Sequence, residues 1–237
     1  MYNPNSIKKI GTIGHAWRSC RTNYIFRCKL SINKPYLHHI ADHVFDTLID
    51  SFVRDHVGIA EDFLSVPLAA HLRDNLNILL GSHLLRPAGI GRDAIQAHDS
   101  TVRGDQIYWL DRRHGNIYEN EFLDMIDQFV IHLNSSCYAG ITGYEFHYAH
   151  YAEGSFYHRH LDRFRSSDAR QYSLIMYLNE DWQKADGGEL CIHHRDHDQT
   201  ISPLSGRGVF FRSQDLEHEV FLTHRSRMSI TGWLTIK

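Results

Sequence analysis

The residues best suited to chemistry stand close together in Tyr157-His158-Arg159-His160-Leu161-Asp162. In an extended segment alternate side chains leave on one side, so His158, His160 and Asp162 share a face. His160 and Asp162 could then hold one ion without bending the backbone. A third ligand has to come from elsewhere, and His218, 58 residues beyond His160, offers an imidazole near the start of a later predicted strand. Two imidazoles and one carboxylate on one face leave three positions open on an octahedral ion. That is the facial arrangement of non-haem Fe(II) oxygenases, which need those positions for a co-substrate and O2. A His-x-Asp pair alone is a weak signal, and a His158/His160/His218 set would make a three-histidine centre with Asp162 idle. Arg227, nine residues past His218, adds what the metal ligands lack. A fixed guanidinium grips a carboxylate with two parallel hydrogen bonds, as the far end of a dicarboxylic keto acid would require.

Other candidates read as structural. The adjacent pairs His38-His39 and His193-His194 point to opposite faces of any strand and chelate poorly, so surface histidines are expected. His147 and His150 are three apart and cannot both face inward. Cys191 lies mid-strand with no evident base, which fits a buried thiol. Glu217 and Glu219 project away from His218 and are expected to meet solvent.

These residues need a scaffold, and the sequence divides in two. Helical periodicity dominates the first half: Val44, Phe45, Leu48, Ile49, Phe52 and Val53 fall on one face. Ser65 is a plausible cap for a second helix through Leu68, Leu72, Leu76, Leu79 and Leu80, with Gly81 as its stop. Residues 86–105, with Pro87, Gly89, Gly91 and Gly104, read as loop. A third helix is predicted from about Glu119 to Asn134. After Gly143 the period becomes two, giving strands over 144–151, 171–178, 189–193, 208–212, 218–223 and 228–236. Helices followed by short strands point to a sandwich or barrel braced by helices on one side. There is no G-x-G-x-x-G and no P-loop.

Against this background the chain resembles the 2-oxoglutarate- and Fe(II)-dependent prolyl hydroxylases of the hypoxia-inducible-factor type, with their bacterial relatives. The likeness runs in order through Val102-Arg103-Gly104-Asp105-Gln106-Ile107-Tyr108-Trp109, Tyr151, the 157–162 segment, Tyr177-Leu178-Asn179-Glu180-Asp181-Trp182, Gly187-Gly188-Glu189-Leu190, His218-Glu219-Val220 and Arg227-Met228-Ser229-Ile230-Thr231-Gly232-Trp233. It covers roughly residues 40–237. The resemblance implies a mainly β fold with supporting N-terminal helices and a double-stranded β-helix (jelly-roll) core. One dioxygenase domain would span 41–237, with helical support over 41–142, the core over 143–237, and a basic extension over 1–40. It implies Fe(II) on His160, Asp162 and His218. It implies 2-oxoglutarate as cosubstrate, its C5 carboxylate on Arg227 and Tyr177, with Tyr151 near the opposite end. Ascorbate would serve as reductant. Arg170, Trp233, Tyr157 and Asp105 would face a proline-bearing protein, Asp105 pairing with Arg170. The implied activity is O2-dependent prolyl 4-hydroxylation, with elongation factor Tu or another translation protein as the leading substrate. Another protein residue or a small molecule is the alternative substrate, and a non-catalytic jelly-roll binding module the alternative of another class. A nucleic-acid demethylase would usually carry a second arginine six residues beyond the first, where this chain has Trp233.

Composition bounds these readings. The 237 residues carry a formal charge of −3, distributed unevenly. Residues 1–41 hold seven basic residues and no acid, leaving 18 of the 25 basic residues against all 28 acids in the remainder. So acidic a body is poorly built to grip phosphate backbones, and no nucleic-acid partner is expected. The basic leader lacks the apolar stretch of a secretory signal. No apolar run approaches the roughly 18 residues needed to span a bilayer, and no membrane partner is expected. Four cysteines without a C-x-x-C pair (Cys20, Cys28, Cys137, Cys191) fit a reducing, cytoplasmic setting.

Overall fold

The structure, a computed structural model, describes residues 34–89, 102–162 and 169–236, with side chains from residue 43 onward. The chain divides into units 1–41 and 42–237. The basic extension expected over 1–40 lies outside the described residues, apart from the backbone that begins helix α1 (Lys34–Asp55).

Two further helices form where the apolar spacing demands them. In α2 (Val66–Gly81) the Ser65 hydroxyl accepts the Leu68 amide at 3.3 Å, and Leu68, Leu72, Leu76 and Leu79 are buried along one stripe. In α3 (Ile117–Cys137) Asn116 caps the Tyr118 and Glu119 amides, and Phe122, Ile126, Phe129 and Leu133 face inward.

The strands are β1 (Val57–Ala60), β2 (Arg86–Pro87), β3 (Asp105–Trp109), β4 (Gly143–Tyr151), β5 (Tyr157–His160), β6 (Arg170–Tyr177), β7 (Leu190–His193), β8 (Asp198–Ile201), β9 (Gly208–Arg212), β10 (Glu217–Val220) and β11 (Arg227–Thr235). They form two antiparallel sheets, a seven-stranded one in the order β1-β9-β6-β11-β4-β3-β2 and a four-stranded one in the order β5-β10-β7-β8. Their inner faces meet around Ala149, Ile175, Val209 and Phe211 from the larger sheet and Leu190, Ile192, Ile201 and Val220 from the smaller. This is a double-stranded β-helix, the jelly roll expected. The helices pack on the outer face of the larger sheet, where Phe45, Phe63 and Phe129 interlock and Phe129 meets Phe210 of β9 edge-on at 5.6 Å.

The structure adds strands to the sequence reading. The stretch taken as loop contains β2, and β3 begins at its last residue, Asp105; residues 90–101 of that stretch lie outside the described residues. Strand β8 was not expected. It is an edge strand in which only Ile201 is buried, so Asp-Gln-Thr-Ile carries no alternating signal.

Candidate active site

Strands β5 and β10 pair with His160 opposite His218, bringing the two imidazoles to 4.3 Å between ring centres. Asp162 follows just past the end of β5. Its Oδ1 lies 3.6 Å from His160 Nε2 and its Oδ2 3.5 Å from His218 Nε2. All three ligand atoms fall within 4.8 Å of one another. Each imidazole is fixed from behind: His160 Nδ1 lies 2.7 Å from the His158 carbonyl and His218 Nδ1 3.2 Å from the Leu216 carbonyl. A carbonyl can only accept, so both Nδ1 atoms carry a proton and both Nε2 atoms turn toward Asp162. Ser173 donates to Asp162 Oδ2 at 2.8 Å and orients the carboxylate.

Electrostatics match this arrangement. Burial alone would push the Asp162 carboxyl up, but His218 and His160 hold it well below the ordinary range. Burial lowers His160, with Asp162 opposing. In His218 burial is outweighed by Asp162, and the imidazole is raised. A buried carboxylate kept charged between two imidazoles is a donor set suited to a divalent transition metal, and Fe(II) fits it.

The register of β5 corrects the alternation read from the sequence. His218 faces His160, but Val220 faces Tyr157, so β5 spends three steps where β10 spends two. This bulge turns both Tyr157 and His160 inward, where their rings stack at 3.5 Å. His158 is left exposed beside Phe156, contributing a carbonyl rather than a ligand, which removes the three-histidine alternative.

Arg227 opens β11 opposite Tyr151 and is 2% exposed. Its Nε donates to the Gly188 carbonyl at 2.8 Å, and its guanidinium carbon lies 5.0 and 5.1 Å from the Tyr151 and Tyr177 rings. The Gly187-Gly188 turn makes this possible. Both residues have φ of +66°, and a side chain at Gly187 would come within 2.4 Å of the Leu222 carbonyl oxygen. Among the described residues no carboxylate pairs with Arg227. Beside it the Tyr177 hydroxyl and Ser229 Oγ have no hydrogen-bond partner. Burial raises the Tyr177 pKa, with Arg227 pulling against it. Burial likewise raises Tyr151 and pushes Tyr157 up to about 12, so all three phenols remain protonated donors at neutral pH. A buried cation flanked by an unused hydroxyl fits the carboxylate of a keto acid.

One cavity is lined by the three ligands, Arg227, Tyr151, Tyr157, Asp105 and Trp233. Tyr177 borders Arg227, and Arg170 lies at the rim with its guanidinium 3.3 Å over the Trp233 ring. The pairing expected between Asp105 and Arg170 is not formed. Asp105 takes Arg103 in two hydrogen bonds of 2.6 Å, while Arg170 donates to Glu145 at 2.8 Å. Register explains this: along β11, Asp105 lies in the row of Arg227 and Arg170 in the row of Thr235, at opposite ends of the strand. Arg103 also lies over the Tyr157 ring at 4.2 Å, so Asp105, itself in the cavity wall, fixes a second lining side chain.

The sequence reading gave no role to Arg103, Ser173 or Glu145, and left open which of His147 and His150 faces inward. His147 is the inward member of its pair, 3% exposed, between Trp109 and Trp233, with Nδ1 unpartnered; His150 bonds Ser226 instead. Counting by twos from Tyr151 along β4 places His147 inside, and from Tyr177 along β6 does the same for Ser173.

Comparison with known proteins agrees with this geometry. The 2OG-Fe(II) oxygenase superfamily matches residues 146–235. The crystal structure of a Pseudomonas putida prolyl-4-hydroxylase superposes with a TM-score of 0.73 at 32% identity, covering 81% of this chain and 99% of that one. A Trichoplax adhaerens prolyl hydroxylase, solved with a hypoxia inducible factor oxygen degradation domain peptide fragment, shares the fold at a TM-score of 0.77, 22% identity and coverage of 86% and 94%. The hypoxia-inducible factor prolyl hydroxylase of Caenorhabditis elegans is 31% identical over 146 residues, 57% of this chain and 20% of that protein. Human Egl nine homolog 1 is 27% identical over 199 residues, 75% of this chain and 43% of that protein. The chain thus spans less than half the length of these two curated relatives. With ligand-competent residues in one jelly-roll cavity and a bacterial prolyl-4-hydroxylase matched over nearly its whole length, the chain belongs to the prolyl hydroxylases of the 2-oxoglutarate- and Fe(II)-dependent oxygenase superfamily.

Proposed function

We propose that this chain is a 2-oxoglutarate- and O2-dependent protein prolyl 4-hydroxylase. The observation that carries the reading is a single cavity with a His-Asp-His donor set at one side and, at the other, a buried arginine that no carboxylate of the described residues neutralises. In this reading His160, Asp162 and His218 hold Fe(II). Arg227 and the Tyr177 hydroxyl take the C5 carboxylate of 2-oxoglutarate, and the Tyr151 hydroxyl donates near its keto-acid end. When bound, the iron and keto acid supply O2 activation, coupling hydroxylation of a C–H bond to decarboxylation of the keto acid to succinate.

The protein's own part is placement and exclusion. Ala149, Ile175, Leu190 and Val220 wall the cavity with apolar surface and keep water from it. Arg170 over Trp233 and Tyr157 on His160 would form the platform for the prolyl ring, and Asp105 would act by holding Arg103 against Tyr157. The substrate is a protein bearing the target proline, with elongation factor Tu or another translation protein as our leading choice. The setting is cytoplasmic, with ascorbate as reductant and residues 1–40 as an extension to one catalytic domain over 41–237.

Succinate formation from 2-oxoglutarate with added Fe(II) should rise when a proline-containing substrate protein is supplied. Mass spectrometry should then find a one-oxygen gain on a prolyl residue. Asp162→Ala should lose turnover below detection while its circular dichroism and melting stay near wild type. Full turnover in that variant would defeat the assignment.

A further inference from the structure

The smaller sheet has a second face, on which His193 and Glu219 are less exposed than the sequence suggested. Alternation that turns Leu190, Ile192, His218 and Val220 inward turns Cys191, His193, Glu217 and Glu219 outward. Cys191 and Glu219 are direct cross-strand partners, and His193 stands two residues along from Cys191 on the same face. Despite that position Cys191 is 1% exposed, the His193 side chain 9% and that of Glu219 25%. Glu217, by contrast, is turned aside into an ion pair with Arg159 at 2.5 Å.

His193 is held at both nitrogens. Nδ1 lies 2.7 Å from Asp198 Oδ1, its cross-strand neighbour on β8, and Nε2 lies 2.9 Å from Glu219 Oε1. One ligand atom each from Cys191, His193 and Glu219 falls within 4.8 Å of the others. A sulfur, an imidazole nitrogen and a carboxylate oxygen are three of the donor types that borderline divalent transition ions take, and tetrahedral zinc uses all three. Asp198 behind Nδ1 completes a carboxylate–histidine arrangement that fixes the imidazole with Nε2 toward the ion.

We propose that Cys191, His193 and Glu219 form a second metal site, of the zinc class, on the outer face of the smaller sheet, with a fourth position left for water. Binding replaces the thiol proton of Cys191 with the metal and releases that proton to solvent. The thiolate and the Glu219 carboxylate then balance the two charges of the ion. An open depression of about 1360 Å³ reaches the cluster at His193, with Asp198 and Thr200 in its lining. The consequence reaches the catalytic side, because Glu219 follows His218 and Ile192, next to Cys191, pairs with His218. An ion here ties β7 to β10 at the residue that presents one of the three inner ligands.

Sulfur separates the two sites experimentally. The inner cluster has no thiol, so thiolate-to-metal charge-transfer absorption with Co(II) reports only the outer one. The full chain, kept reduced with a phosphine, is titrated with Co(II) past two equivalents and then with Zn(II). The charge-transfer band should appear, persist in the triple variant Cys20→Ser, Cys28→Ser, Cys137→Ser, and be displaced by Zn(II). Glu219→Gln should weaken Co(II) affinity at this band at least tenfold, and Cys191→Ser should abolish it. Because Cys191 is buried and its variant could fail to fold, the triple variant and Glu219→Gln decide the matter without it. Absence of the band in the triple variant, or unchanged affinity in Glu219→Gln, would overturn the proposal and leave the inner site unaffected.

Discussion

The two faces of the larger sheet are built from the same strands, yet they treat polar groups in opposite ways. On the helix side the buried charge, Glu119, is paired. Glu119, 2% exposed, accepts from Asn75 at 2.8 Å and lies 3.0 Å from His114, while Asn75 also reaches the Tyr148 hydroxyl at 3.2 Å. On the inner side the Tyr177 hydroxyl, Ser229 Oγ, Trp233 Nε1 and His147 Nδ1 are all buried without a partner. The other two such atoms among the described residues sit on helices: Asn120 Oδ1, and Arg73 Nη1, which faces Glu180 at 2.5 Å. Leaving a buried donor or acceptor unmet costs about 1–3 kcal/mol, so four together on one face mark where stability has been given up for binding. One face holds the fold together and the other waits for ligands.

This contrast can be broken by paired substitutions. Phe129→Ala removes a ring that contacts Phe45, Phe63 and Phe210 on the helix side. It should cost about 3–5 kcal/mol of stability in chemical denaturation and leave the 2-oxoglutarate KM of the folded fraction unchanged. Arg227→Ala should do the reverse. The cosubstrate carboxylate loses a charge-assisted partner worth about 2–5 kcal/mol, so KM should rise by a factor of roughly thirty or more while the melt moves little. If Arg227→Ala destabilises the free protein as much as Phe129→Ala does, the division of labour between the faces is wrong.

How much of this was legible in the sequence follows the same division. Helices α2 and α3 were readable because a buried stripe imposes a 3.6-residue repeat, as Leu68, Leu72, Leu76 and Leu79 show. The long strands were readable because one residue in two faces the cavity. The cluster of His160, Asp162, His218 and Arg227 was readable because a weak His-x-Asp pair, a later histidine and an arginine combined into one explanation that the family resemblance joined. What failed were features set by pairing rather than by local pattern. The bulge that turns His158 out is a property of β5 against β10. The partner of Asp105 is decided by which end of β3, through β4, and which end of β6 fall level along β11. His193 was read as a surface residue because its two carboxylate neighbours come from β8 and β10, five and 26 residues away.

His147 offers a pH test of the inner face. Burial lowers its pKa from 6.5 to about 4. Between those values the unfolded chain binds a proton that the folded chain refuses, so this contribution is fully present above pH 6.5 and is lost as pH falls toward 4. The loss amounts to at most about 3 kcal/mol. His147→Phe should flatten that part of the stability profile relative to wild type, measured by denaturant melts across the range. An unchanged slope would show that the imidazole is not shut away from water as its position between Trp109 and Trp233 implies.

The smallest effect separates the faces most cleanly, because it removes one oxygen atom from each. Tyr148→Phe deletes a hydroxyl that Asn75 bonds on the helix side, and should cost about 1 kcal/mol of stability, since the Asn75 donor loses an acceptor in a closed space. Tyr177→Phe deletes a hydroxyl that bonds nothing. With no partner stranded and one buried polar group fewer, the ligand-free protein should melt at the same temperature or slightly higher. The cosubstrate KM should rise about five- to tenfold, the equivalent of one hydrogen bond of about 1 kcal/mol. Equal destabilisation in the two variants would mean that the Tyr177 hydroxyl already has a partner in the resting protein, and the inner face would then be as satisfied as the outer.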